Sequence, residues 1–236
     1  MSRFYTPIDL AVDQSLQLPE TIFHHWVRVL RAQVGDHATL FNGQGGEYLA
    51  RLSQVDKKSA QVDILSFEPS DRTPKVNVTL GQVMSKGDRM DYAIQKATEL
   101  GVHAIQLLVS ERCEMRLKYD RDQKKIEHWQ QIAVAACEQC GLNRVPTILP
   151  PLTLNDWLAQ TDTPRRYVLA LSAEQQPIDL LARTDVSLLV GPEGGLSDAE
   201  IQLSEQAGFV RWQMGTRVMR TETAPVVALA LLGTAD

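Results

Sequence analysis

The chain has 236 residues, 44% hydrophobic and 22% charged, which is ordinary for a globular protein of one large or two modest domains. Three cysteines are too few for a disulfide framework, no apolar run approaches the ~18 residues of a membrane span, and no apolar leader precedes a cleavage site, so a cytoplasmic protein without a membrane partner is expected. The net charge of −5 argues at first against nucleic acid, but the acidity is confined to the last third, where 6 basic residues face 11 acidic ones after Leu149.

Residues 1–73 read as a small β-rich domain. Alternating runs at 38–42, 48–55 and 60–67 predict strands, with Asn42-Gly-Gln-Gly-Gly46 as a tight turn between the first two. A helix from Pro19 to about Arg31 interrupts them. Its Ile22, Trp26 and Leu30 recur at helical spacing for the core, while His24, Arg28 and Arg31 fall elsewhere on its surface. A small β-barrel that holds RNA fits this composition, and so does a peptide-binding barrel.

Asp71-Arg-Thr-Pro-Lys75, polar and broken by proline, predicts a linker and a second domain over 74–236. Strands and helices then alternate. Strands are expected at 76–83 and 104–109, helices at 90–100, closed by Gly101, and from about 120 to 140, and further strands at 166–171, 187–190 and 209–213. Such alternation implies an α/β fold with a parallel sheet covered on both faces, and ordinary topology rules would leave it unknotted. Cys137-Glu-Gln-Cys140 has C-x-x-C spacing, but no second pair completes four zinc ligands and the stretch reads as a helix ending at Gly141. Core packing is the better account, and no metal is expected.

Two loops near the carboxy terminus carry the chemistry. Leu188-Leu-Val-Gly-Pro-Glu-Gly-Gly-Leu-Ser-Asp-Ala-Glu200 is a buried strand that stops at glycine and gives way to a helix, and Ser197 with Glu200 forms a capping box over its first amides. A mouth capped in this way is less available to a phosphate, and neither a P-loop nor a full G-x-G-x-x-G is present. Met214-Gly-Thr-Arg-Val-Met-Arg-Thr-Glu-Thr-Ala-Pro225 repeats the logic, with Thr221 or Thr223 as candidate N-cap and Pro225 in the first turn. The last helix, 224–232, has no polar face and needs cover on more than one side, most simply from a partner subunit.

Gly191-Pro-Glu-Gly-Gly-Leu196 followed by Met214-Gly-Thr-Arg-Val-Met-Arg-Thr-Glu-Thr-Ala224 resembles the RsmE family, the 16S ribosomal RNA (uracil-N3)-methyltransferases of the SPOUT class. Further matches are Gln95-Lys-Ala-Thr-Glu-Leu-Gly-Val102, Ala135-Ala-Cys-Glu-Gln-Cys-Gly-Leu-Asn-Arg-Val-Pro146, Arg3-Phe4 and His25-Trp-Val-Arg-Val-Leu-Arg31, so the resemblance covers nearly the whole chain. It implies a PUA-like β-barrel domain, then a SPOUT-type parallel sheet with a carboxy-terminal trefoil knot, S-adenosyl-L-methionine as cofactor and a homodimer. Nothing in spacing or periodicity reveals a knot. Carried over residue by residue, the resemblance places Leu171, Gly191, Pro192, Glu193, Gly194, Met214, Gly215, Val218 and Met219 around the cofactor. The partner it implies is 16S rRNA or the assembled small ribosomal subunit.

The reaction such an enzyme performs makes its own demands. Uracil N3 carries a proton, so the site must remove it or stabilise the resulting anion. Arg220 is the candidate for the anionic base and Glu222 for the proton or for orienting Arg220, although such a pair can also simply fix a loop. N3 lies on the Watson-Crick edge, so the nucleotide must be exposed or flipped. Candidate RNA contacts are Arg3, His25, Arg28 and Arg31, then Lys86, Arg89, Arg112, Arg116 and Arg144; charged runs of this kind are often solvated helix faces. An RNA-binding assembly factor without turnover, or a nucleotide-dependent enzyme on an ordinary doubly wound fold, are the readings from other classes.

Overall fold

The computed structural model describes residues 1–115, 119–171, 178–180 and 182–233, with the backbone alone at 119–122. The chain divides into two compact units, one of Met1–Thr73 with Cys137–Val145, the other of Pro74–Ala136 with Pro146–Asp236.

The first unit is built on a five-stranded sheet in the order β1-β3-β4-β5-β2. Its strands are β1 (Ser2–Tyr5), β2 (Ser15–Gln17), β3 (His37–Phe41), β4 (Glu47–Val55) and β5 (Ala60–Glu68). Alternation sets the buried face: Ala60, Val62 and Ile64 point inward from β5, while Gln61 and Leu65 face out. The short edge strands β1 and β2, parallel to β3 and antiparallel to β5, have too few residues for a period to be read in the sequence. No pairing between β1 and β2 closes the sheet among the described residues.

The helix of this unit departs from the expected one. A single turn, α1 (Glu20–Ile22), passes directly into π-helical turns over Phe23–Val29, where Leu30 N reaches back five residues to His25 O at 2.9 Å. The wider turn changes which side chains share a face. Ile22, Phe23, Trp26 and Val27 enter the core, whereas Leu30, expected there, is 50% exposed. Arg31 then leaves the helix with φ of 59°.

Residues 137–145 complete the same unit. Cys137 and Leu142 pack on Phe41, and burial, with Cys140 nearby, pushes the Cys137 thiol up to about 12, which leaves it a core residue rather than a reactive one. Asn143, wholly buried, donates to Ser70 O at 3.0 Å and accepts from Arg3 at 2.6 Å, and the Tyr5 amide donates to Glu138 at 2.9 Å.

The second unit is a six-stranded sheet in the order β11-β9-β10-β6-β7-β8, parallel throughout. Its strands are β6 (Val78–Val83), β7 (Ala104–Val109), β8 (Thr147–Thr153), β9 (Arg165–Leu169), β10 (Val186–Val190) and β11 (Val210–Trp212). Around it lie α2 (Asp88–Glu99), α3 (Tyr119–Cys140), α4 (Leu154–Gln160), α5 (Asp198–Gln206) and α6 (Ala224–Gly233), the last turn of α3 being counted with the first unit. All five residues of β10 are buried, as a strand covered on both faces requires. Strand β8 and helix α4 have no counterpart in the sequence reading. Pro150 and Pro151 look like breakers, yet β8 is an edge strand, where a missing N–H is tolerated, and Gln106 of β7 donates to the Pro150 carbonyl. No helix among the described residues is long and apolar enough to cross a membrane.

Candidate active site at three strand ends

Strands β11, β9 and β10 are neighbours, and parallel pairing brings their carboxy-terminal ends to one edge of the sheet. There the chain after each strand borders a cavity of about 700 Å³. Leu171 follows β9; Gly191, Pro192 and Glu193 follow β10; Met214, Gly215, Val218, Met219, Arg220 and Glu222 follow β11, and all of them line it. Gly194 does not. The chain turns at this point, so the Gly194 carbonyl faces Arg112, and the residue props the loop instead of lining the crevice. The cavity also takes in Arg89, Asp198, Arg217 and Thr221, which the sequence reading had not placed there.

Local chemistry fixes each wall. At Gly191 an added Cβ would lie 3.0 Å from the Leu196 amide nitrogen and side chain, so any larger residue would require the loop to loosen where it folds back. Helix α5 starts with the expected capping box: Ser197 Oγ accepts from the Glu200 amide at 3.3 Å and Glu200 Oε2 accepts from the Ser197 amide at 2.9 Å. The other oxygen of Glu200 accepts from the Glu111 amide at 2.7 Å, so one carboxylate satisfies two segments.

Thr221 joins the two loops. Its hydroxyl donates to the Gly191 carbonyl at 2.6 Å and accepts from Gln82 Nε2 at 3.1 Å, so it does not serve as the N-cap of α6. Gln82, 1% exposed, also donates to the Val83 carbonyl at 3.0 Å. The sequence reading missed this residue, although one polar side chain near the end of a buried strand is a usable signal.

The charges in the crevice are mixed, with Arg89, Arg217 and Arg220 against Glu193, Asp198 and Glu222. Burial works to raise the Glu193 carboxyl, but hydrogen bonds from its own amide, Arg89 and the Lys86 amide outweigh it and hold the group below the usual carboxylate range. Glu222 keeps one buried oxygen, Oε2, without a partner among the described residues.

The candidate RNA contacts are dispersed. In the first unit Arg3 is largely buried against Glu47 and Asn143, and Arg144 pairs with Asp71 at 2.7 Å. Arg28 lies over the Phe23 ring and donates to the Lys57 carbonyl, while His25 and Arg31 are exposed. In the second unit Lys86 pairs with Glu114 at 2.7 Å, Arg89 with Glu193 at 2.7 Å, and Arg112 donates to the Gly194 carbonyl at 3.0 Å. Arg116 lies outside the described residues. No group of His, Cys, Asp or Glu suited to a metal occurs among the described residues.

Comparison with known proteins gives this geometry a lineage. The RNA methyltransferase domain family matches residues 72–233, and the PUA domain family of RNA methyltransferases matches residues 18–65. A Legionella pneumophila protein solved in complex with the bound cofactor S-adenosylmethionine is 36% identical, with a TM-score of 0.93 over 99% of this chain and 97% of its own. The ribosomal RNA small subunit methyltransferase E of Neisseria gonorrhoeae, bound to S-adenosylmethionine, is 38% identical, with a TM-score of 0.92 over 99% of this chain and 97% of its own. The protein of the same name from Buchnera aphidicola of Schizaphis graminum is 32% identical over 98% of this chain and 94% of its own length.

A parallel α/β sheet with a crevice at its strand ends, joined to a PUA-like unit, defines the class: an RNA methyltransferase. Within that class the chain belongs to the ribosomal RNA small subunit methyltransferase E family, the RsmE family that the paired loops resemble.

Proposed function

We propose that the crevice binds S-adenosyl-L-methionine and that the protein methylates N3 of a specific uridine in the 16S RNA of the small ribosomal subunit. The observation that carries the reading is the convergence of Arg220 and Glu222 with the Gly191 and Met214 loops on one cavity at the strand ends. The residues suit this cofactor. It has no phosphate, and the α5 mouth that could seat one is closed by Glu200. It carries amino donors, and Glu222 Oε2 is a buried acceptor in need of one.

Pro192, Leu171 and Met219 would flank the adenine, and the backbone at Gly191 and Met214 would read its edge. Bound there, the cofactor supplies an electrophilic methyl on a sulfonium sulfur. The protein's share is to position the uridine and make N3 nucleophilic. Arg220 stabilises the negative charge that spreads over N3, O2 and O4 as the proton leaves, and Glu222 accepts that proton or orients Arg220.

On the same reading the first unit holds the RNA around an exposed nucleotide, the region around the Met214 loop carries the trefoil knot of the class, and α6 meets its counterpart in a homodimer. The reading also places the protein in the cytoplasm, with ribosomal RNA or the assembled subunit. Mass spectrometry of small-subunit RNA from cells lacking the protein tests the substrate: one N3-methyluridine is expected to disappear and to return on complementation. An unchanged nucleoside profile would refute the assignment.

A further inference from the structure

Two guanidinium groups hold the Gly191–Leu196 loop, Arg112 from outside the crevice and Arg89 from its wall. Arg112, in the turn after β7, donates to the Gly194 carbonyl at 3.0 Å and reaches the Leu196 carbonyl at 3.5 Å. Its stem packs where Gly194 has no side chain; a Cβ there would lie 3.6 Å from Arg112 Cβ and Cδ. Arg89, in the first turn of α2, pairs with Glu193 at 2.7 Å. Residues 193 and 194 are therefore anchored in succession, one by its side chain and the next by its backbone, to two different segments.

We propose that Arg112 and the Arg89–Glu193 pair are positioning residues for the methyl-donor loop, and that this, not contact with RNA phosphates, is their principal role. The proposal rests on the reading of the crevice as the S-adenosylmethionine site. A guanidinium has several donors in a fixed plane and can serve two carbonyls of one turn, which a single ammonium does less well. Preorganising the loop before the ligand arrives lowers the ordering that binding would otherwise require. Arg112 and Arg89 do not touch the reacting atoms in this scheme; they act through the loop.

The test is calorimetric titration of the full-length protein with S-adenosylmethionine in the absence of RNA, with melting curves to check folding. Arg112→Ala is expected to weaken binding about tenfold or more, the size associated with a charged hydrogen bond, with Arg112→Lys restoring part of it and Glu193→Gln weakening it about threefold. In turnover assays KM for the cofactor should rise by a larger factor than kcat falls. Affinity for a small-subunit RNA fragment should stay within about twofold, with an unchanged salt slope. If wild type takes up cofactor and Arg112→Ala and Glu193→Gln take it up equally well, the positioning role is wrong; a weaker, less salt-sensitive RNA complex would then make Arg112 a phosphate contact. If wild type itself takes up none, the reading of the crevice fails first. Should Arg112→Ala not fold, Arg112→Lys and Glu193→Gln decide in the same assay.

Discussion

The two loops that enclose the crevice are held in very different ways. The loop after β10 is fastened along its length: Thr221 on the Gly191 carbonyl, Arg89 on Glu193, Arg112 on Gly194, a turn closed by Gly195 N on Pro192 O, and the Ser197–Glu200 box at its exit. The loop after β11 is fastened at its ends, by Gln213 on the Gly215 carbonyl and by Thr221 and the amides that turn back to Arg220 O. Between those points Thr216 and Arg217 are exposed and Val218 is 82% exposed. On the proposed reading, the wall fastened along its length would preset the methyl donor while the exposed wall would adjust to RNA.

The contrast can be broken most severely at the open wall. Arg220→Ala should cut single-turnover methyl transfer about 10²–10³-fold, the usual loss of one preorganised donor, while cofactor affinity by calorimetry stays within about threefold. Full turnover in this variant would remove Arg220 from the chemistry. Next is the bridge between the walls. Thr221→Val leaves the buried Gln82 amide and the Gly191 carbonyl each short of a partner, and should cost about 1–3 kcal/mol in urea unfolding and weaken cofactor binding as well.

Val218→Ser sharpens the difference further. A side chain this exposed contributes little to folding, so unfolding free energy should move by less than about 0.5 kcal/mol, while affinity for cofactor or RNA falls a few-fold; a large loss of stability would mean that the open wall is packed after all. The smallest effect concerns pH. The folded-state pKa of Glu193 is depressed, so its contribution is present above the unfolded value near 4.5 and is lost as pH falls through the folded one. Its partly exposed pair should be worth no more than about 1 kcal/mol. Glu193→Gln is expected to lack this acid-range increment, readable as a smaller drop in melting temperature between pH 6 and pH 3.

The rigid wall was the more legible in the sequence because its determinants are local: glycines where a strand stops, and a serine and a glutamate three residues apart. The choice between Thr221 and Thr223 as N-cap stays open in the sequence because the partners of Thr221, Gly191 and Gln82, lie 30 and 139 residues away, and only the folded sheet brings them together. A contiguous motif does not say which of its backbone groups turn outward, as the Gly194 carbonyl does toward Arg112. In the fold, β10 and β7 were visible as apolar runs, but β8 was hidden by its prolines and the π-helical turns by a pattern that matches an α-helical period until Leu30. Lys86, Arg89 and Arg112 have acidic and carbonyl partners that lie far off in the chain, which the charge pattern alone does not reveal.

Residues 137–145 have a consequence for how such a protein is made. Arg3, Tyr5 and Phe41 take partners from Asn143, Glu138, Cys137 and Leu142, so a nascent chain that has delivered only its first 73 residues still lacks part of its amino-terminal core. Synthesis must run on through α3 before that region can close. A graft of residues 1–73 alone would leave those side chains facing water, which makes the pair of units one inheritance and not two exchangeable modules.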